Sequence, residues 1–187
     1  SGRNVVFGSA DKTVRAVRFD TGKPVWTYAT RGIVEASPKQ VGNLVIVGSS
    51  DRHLHAVDAA TGKPRWRYKT DDKILGAATI AAGARPGQRW AIVGSYDNRV
   101  HCVDVATGKR VWTYETDNYV NGQPVLAGEK RDLVVFGGCD GVLHVVRLAD
   151  GKKVRAVEIG DYIAGTATVD GSRAYLGHYG NAVVCAD

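Results

Sequence analysis

Three histidines, His55, His101 and His144, stand at one position of a recurring pattern, and His53 lies two residues before the first of them. Residues two apart on a strand share a face, so His53 and His55 have the spacing to chelate a metal ion. A protein zinc site needs at least three protein ligands, and no third donor stands at a fixed spacing from this pair. Recurrence at a single register reads instead as packing between repeats, with Arg15 and Val184 at the same position of the flanking copies. Cys102, Cys139 and Cys185 are odd in number and far apart. They make a poor disulfide framework and include no CxxC pair for zinc or redox exchange. No P-loop, GxGxxG, GxSxG or HExxH pattern occurs. The Gly-Lys pairs at 22–23, 62–63, 108–109 and 151–152 are followed by Pro, Pro, Arg and Lys, without the Ser or Thr of a phosphate loop.

The elements that would position these residues are repeated. Val5–Thr30, Val45–Thr70, Ala91–Thr116 and Val134–Ile159 align without gaps, and a fifth copy starts at Ala174. The anchor glycines Gly8, Gly48, Gly94, Gly137 and Gly177 are 40, 46, 43 and 40 residues apart. A period in the low forties, made of short β-branched runs between turn residues, is the size of one four-stranded propeller blade. Within a period, one strand ends at the anchor glycine. A tight turn and a second strand follow, such as Leu54–Val57 or Val100–Val103. A Thr-Gly-Lys turn comes next, where Gly22, Gly62 and Gly108, with Gly151 after Asp150 in the fourth copy, can supply a positive φ. An outer strand then carries Trp26, Trp66 or Trp112. Innermost strands are expected over Ile33–Ser37, Ile74–Thr79, Tyr119–Val125 and Tyr162–Thr168, and Trp90 is expected at the edge of the third copy. No segment carries a helical apolar stripe.

The expected fold is therefore all-β: a single β-propeller segment over 1–187 of four-stranded antiparallel blades. Three blades are complete, at about 31–70, 71–116 and 117–159, and two are partial, at about 1–30 and 160–187. The first blade would lack its innermost strand and the fifth its outermost. Open blade faces need covering, so a longer chain, or closure of the arc against another copy, is expected. The start at Ser1-Gly2-Arg3 without a Met also reads as a processed or excised piece.

The segment Ala56-Val57-Asp58-Ala59-Ala60-Thr61-Gly62-Lys63-Pro64-Arg65-Trp66 resembles the tryptophan-docking motif of the quinoprotein-type, or PQQ-like, β-propeller repeat family. The third copy keeps it with Cys102 for Ala, through Asp104, Gly108 and Trp112. The first has Arg18 at the Asp position, and the fourth has Val145, Arg147, Asp150 and Arg155 in place of Ala, Asp, Thr and Trp. The resemblance covers nearly the whole chain and is closest to the non-catalytic members. It implies seven or eight blades in all and a periplasmic or extracellular location. It implies that Trp26, Trp66 and Trp112 dock neighbouring blades, while Asp58, Asp104 and the turn glycines Gly22, Gly62, Gly108 and Gly151 shape the turn that receives them. A quinone-dependent dehydrogenase of this family would need calcium ligands and a vicinal Cys-Cys pair. The pair is absent, and Glu35 and Asn121 lie two blades apart, so no cofactor and no metal are expected.

One set of residues varies among copies where the packing positions do not. Arg31, Glu35, Asp72, Lys73, Asn118, Tyr119, Asn121, Asp161 and Tyr162 fall on the inner segments and on the loops at the channel mouth. Variation inside a fixed frame marks positions that packing does not dictate. These nine are the candidate partner-contacting or channel-lining residues. The expected function is a non-catalytic scaffold or recognition module that takes a protein or peptide through these loops or its blade edges. The alternatives are part of a dehydrogenase or a receptor's ligand-sensing domain. Net charge is +6, from 25 Lys and Arg against 19 acids, but the cations are scattered. They form no stripe of the kind that binds nucleic acid. The longest uncharged stretch, Ile74 to Ala84, is far too short to span a bilayer.

Overall fold

Short runs of β-branched residues broken by Gly, Asp and Asn give eighteen strands in the computed structural model, which describes residues 3–187. No helix occurs among the described residues. The strands form five antiparallel meanders in sequence order. The first sheet has β1 (Asn4–Gly8), β2 (Thr13–Arg18) and β3 (Pro24–Ala29). The second has β4 (Lys39–Val41), β5 (Leu44–Ser49), β6 (His53–Asp58) and β7 (Pro64–Lys69). The third has β8 (Thr79–Ala82), β9 (Arg89–Ser95), β10 (Arg99–Asp104) and β11 (Arg110–Glu115). The fourth has β12 (Val125–Ala127), β13 (Leu133–Gly137), β14 (Val142–Arg147) and β15 (Lys153–Glu158). The fifth has β16 (Thr168–Asp170), β17 (Arg173–His178) and β18 (Ala182–Ala186). Strands β4, β8, β12 and β16 meet one another between sheets, so they lie innermost.

The innermost strands are not where the sequence pattern put them. Ile33–Ser37 and its equivalents are irregular, and the strands begin later, at Lys39, Thr79, Val125 and Thr168. The reason is a different use of the same apolar residues. Val34, Ile74, Val120 and Ile163 are buried plugs, each set against the anchor glycine of the preceding sheet. A Cβ on Gly94 would stand 2.6 Å from Val120 Cγ1, so only glycine admits the plug. The backbone there forms no ladder and bonds to the end of the preceding strand or its turn, through Val34 N–H to Ser9 O and Val120 N–H to Ser95 O. Trp90 likewise is not at an edge. It is 4% exposed inside the core between the third and fourth sheets, and its Nε1 has no partner.

Neighbouring sheets are joined by a repeated wedge. The indole N–H of Trp26 donates to Ala59 O at 3.0 Å, Trp66 to Val105 O at 2.9 Å and Trp112 to Leu148 O at 2.8 Å. Each ring covers the turn glycine of the following sheet. Gly62, Gly108 and Gly151 all have φ +69, and a Cβ on any of them would enter the ring. Just ahead of each turn the ladder slips by one residue, for example between Ala56 and Val57. Asp58 Oδ1 accepts from Ala60 N–H, Thr61 N–H and Thr61 Oγ1–H. Arg65 on the other carboxylate oxygen and these bonds hold the Asp58 carboxyl at about 2. Where the motif departs, the polarity reverses. Arg147 donates from Nε and Nη2 to both oxygens of Asp150, at 2.9 and 2.7 Å, and Arg18 does the same to Asp20. In the fourth sheet a paired guanidinium and carboxylate thus replace an Asp and a Thr, whereas the first keeps Thr21 and takes its carboxylate from Asp20, one residue earlier.

The three recurring histidines form a second inter-sheet link. His55 Nε2 lies 3.0 Å from Asp51 Oδ1, and its Nδ1 lies 3.0 Å from the hydroxyl of Tyr28 in the preceding sheet. Tyr68–His101–Asp97 and Tyr114–His144–Asp140 repeat the arrangement. Each Asp also accepts from the backbone N–H that leaves the preceding sheet, at Arg31, Asp71 and Asp117. A carboxylate can only accept, so the imidazole donates from Nε2 and the tyrosine O–H donates to Nδ1. Arg15 and Asp11 form an ion pair at the same place in the first sheet. His53 Nδ1 is bonded to Asp51 O at 2.9 Å.

The links set an acid sensitivity. Burial pushes the His55 imidazole below its ordinary 6.5, against the pull of Asp51. Burial alone would raise the Asp51 and Asp97 carboxyls, but their hydrogen bonds outweigh it and leave both below 3.8. All three folded values are depressed. In each case the unfolded chain takes the proton first, so stability is lost as pH falls. The expected melting temperature declines from 6.5 downward as His55 is forced to charge, then more steeply below 3.8. Thermal melts across that range check it. A melting temperature flat between the two values would show that His55 takes up its proton equally in the folded and unfolded chain.

Candidate functional site

Beside the hairpin turn, four of the five sheets place two residues side by side. The residue two positions after the anchor glycine donates its N–H to the carbonyl of a residue on the incoming segment. The pairs are Ser50 with Ile33, Tyr96 with Lys73, Cys139 with Tyr119, and Tyr179 with Tyr162. These bonds hold the two residues of each pair next to one another. The incoming segments are stiffened further. Thr70 Oγ1–H donates to Asp72 O at 2.6 Å and Thr116 Oγ1–H to Asn118 O at 2.7 Å. Asp72, Asn118 and Asp161 each fold back to accept the next residue's N–H, at 2.7, 2.9 and 2.7 Å. The Asn118 amide also donates to Cys139 O at 3.2 Å.

The structure brings together part of the sequence-derived set. Asn118, Tyr119, Asn121 and Tyr162 line one recess of about 290 Å³ with Tyr96, Cys139, Ala164 and Tyr179. Tyr96 and Tyr119 stack with centroids 4.6 Å apart and planes 7° off parallel. Lys73 joins through its ammonium, 4.3 Å from the centroid of the Tyr96 ring. That geometry is a cation–π contact. Arg31, Glu35, Asp72 and Asp161 are not in the lining. Arg31, Glu35 and Asp72 are exposed, and Asp161 is half-buried.

Sequence reasoning missed Tyr96, Cys139 and Tyr179. The signal was available: Ala10, Ser50, Tyr96, Cys139 and Tyr179 occupy one turn position in five copies and differ from copy to copy, with Tyr in two. Burial raises the Tyr96 phenol and the Cys139 thiol above their ordinary values, so both are neutral near pH 7. Among the described residues no group of three or more His, Cys, Asp or Glu could hold a metal ion. What the recess offers is aromatic faces, phenol hydroxyls and an amide, which bind by stacking and neutral hydrogen bonds.

A larger apolar cleft of about 370 Å³ lies between the fourth and fifth sheets, lined by Leu133, Val135, Leu143, Val145, Val169 and Ala174 among others. It marks the interface where Arg155 stands in the place of the wedging tryptophan.

The model of a family described as outer membrane protein assembly factor BamB matches residues 10–187. No curated protein matches the chain in sequence. Among solved structures, BamB from Moraxella catarrhalis superposes with a TM-score of 0.79 at 23% identity, over 98% of this chain and 55% of that one. The computationally designed Ika8 protein superposes with a TM-score of 0.82 at 18% identity, over 99% of this chain and 55% of its own. The chain therefore spans about half the length of each, and these likenesses show the propeller fold. Repeat period, all-β meanders and the family match over residues 10–187 agree: the chain belongs to the BamB family of PQQ-like repeat β-propellers.

Proposed function

We propose that the chain is a non-catalytic propeller scaffold that binds a protein or peptide partner through the channel-mouth loops. One observation carries the reading: four of the nine residues that differ from copy to copy, Asn118, Tyr119, Asn121 and Tyr162, gather into one recess without charged lining, while the residues that join the sheets recur. Trp26, Trp66 and Trp112 serve as blade-docking wedges on Gly62, Gly108 and Gly151, with Asp58 and Asp104 shaping two of the receiving turns. The first turn, at Gly22, would receive a wedge from a preceding blade. Together they hold the frame stiff, so a partner meets loops already ordered and binding costs little conformational entropy. Family membership supports a place among protein assemblies and a periplasmic or extracellular location. No helix among the described residues is long and apolar enough to cross a membrane. A whole propeller of seven or eight blades, or self-association of the arc, would cover the open outer faces of the first and fifth sheets. Those faces expose Val5 and Phe7 at one end and Tyr175 and Val183 at the other.

Site-specific photo-crosslinking tests the reading. A benzophenone amino acid at Asn121 or Tyr162 is expected to give protein adducts in the producing cell, and one at Lys153 on β15 is not. Adducts at Lys153 with none at the mouth would move the partner surface to the blade edges and sink the proposal.

A further inference from the structure

The recess has a chemistry specific enough to name its occupant's class. Four tyrosines line it, and they differ in kind from the other tyrosines between sheets. Tyr28, Tyr68 and Tyr114 each commit their hydroxyl to a histidine. The hydroxyls of Tyr96, Tyr119, Tyr162 and Tyr179 have no hydrogen-bond partner among the described residues, and neither does the Asn121 amide. Tyr162 and Tyr179 are 56% and 71% exposed, although aromatic rings gain from burial. Tyr119 has one face on Tyr96, which leaves the other without a ring partner.

Charge narrows the occupant further. No charged side chain lines the recess. Lys73 already sits on the Tyr96 ring and would repel a cation. Asp72 and Asp161, next to Lys73 and Tyr162 on the incoming segments, would repel an anion. A neutral occupant fits best. The volume of about 290 Å³ lies at the foot of the small-molecule range of about 300–1,000 Å³. It accepts one or two residues of a chain that continues across the mouth.

We propose that the recess binds a proline-rich segment of the partner in the polyproline II conformation, an inference that rests on the mouth being the partner-binding surface. A polyproline II helix makes no internal hydrogen bonds, so its carbonyls are free to accept. The four hydroxyls and the Asn121 amide supply donors for them. Pyrrolidine rings lie flat on tyrosine faces, and grooves lined by aromatic residues are the usual receptor for such segments. Both sides are stiff before they meet: proline fixes φ, and tyrosine offers a large contact with few rotors.

The test is a fluorescence-polarisation titration of a labelled decaproline peptide against the protein. The expected result is saturable binding that added salt leaves unchanged, because no ion pair forms. Tyr119→Ala and Tyr162→Ala are each expected to weaken it about tenfold. Tyr119→Phe and Tyr162→Phe keep the rings, and they are expected to fall between wild type and the alanine variants. Both tyrosines are exposed or partly so, and the Phe pair guards against misreading a folding defect. Equal binding of a Gly-Ser peptide of the same length would overturn the inference. So would wild-type affinity in the alanine variants, or binding of a tri-N-acetylglucosamine with none of decaproline. Loss of decaproline binding alone, with mouth crosslinks intact, overturns this inference and leaves the scaffold reading standing. Loss of both removes both.

Discussion

Replacing Trp112 by alanine is expected to remove about 4 kcal/mol of stability, the magnitude for emptying a buried aromatic site. The ring is 7% exposed and lies in the core shared by the third and fourth sheets. Two losses add. The cavity left behind cannot collapse, because rigid sheets and the Gly151 turn frame it. The Leu148 carbonyl also loses the indole donor at 2.8 Å. Trp112→Phe keeps most of the packing and drops only the hydrogen bond, so about 1–2 kcal/mol is expected. Gly151→Ala attacks the same contact from the other side. Its Cβ would stand 2.6 Å from Trp112 Cε3, at a φ of +69 that disfavours any side chain. Urea unfolding of the three variants measures this. A Trp112→Ala protein within about 1 kcal/mol of wild type would mean that the wedge does not hold the sheets together.

Asp97→Ala is the second large effect, with an expected loss of about 3 kcal/mol from stripping a partner out of a buried polar link. The Asp97 side chain is 2% exposed and lies 3.1 Å from His101 Nε2. It also accepts from Asp71 N–H at 3.0 Å. Removing it orphans the buried His101 Nε2–H, and a buried donor without an acceptor costs more than the bond was worth, while the exposed Asp71 N–H turns to water. Tyr68→Phe removes only the far end of the chain and is expected to cost about 1 kcal/mol. The double variant separates a network from independent bonds, because coupled residues do not add. Strict additivity of Asp97→Ala and Tyr68→Phe would show that the tyrosine and the aspartate do not act through His101.

Acid sensitivity and the Asp97 variant probe the same links by different routes. If both appear, the histidines are structural bridges between sheets. Their recurrence at one register then has a cause: each sheet must be tied to the one before it. The tryptophan wedge and this relay act at different heights along one outer strand, because Trp26 and Tyr28 are both on β3. The tryptophan works at the outer turn, and the Tyr–His–Asp link works beside the loop that leaves the preceding sheet.

Much of the frame was legible because it is written locally. The spacing of Gly8, Gly48, Gly94 and Gly137, the Thr-Gly-Lys turns and the short β-branched apolar runs each need only their own neighbours. They fix strand, turn and repeat length, and so the all-β propeller class. The innermost strands were misplaced for a related reason. An apolar residue on an incoming segment looks the same whether it pairs in a sheet or plugs a gap. Val34, Ile74, Val120 and Ile163 do the latter, and only the glycine in the preceding sheet reveals it.

Of the site, the sequence determined which positions vary within a constant frame, and so it supplied Asn118, Tyr119, Asn121 and Tyr162. Only the tertiary structure decided that these four share one recess with Tyr96, Cys139 and Tyr179, and that Arg31 and Glu35 are not in its lining. Proximity across sheets depends on how one meander is rotated against the next, and that rotation is set by the wedges and plugs between sheets. No run of residues within one repeat encodes it, because every contact that fixes it is made with a different repeat.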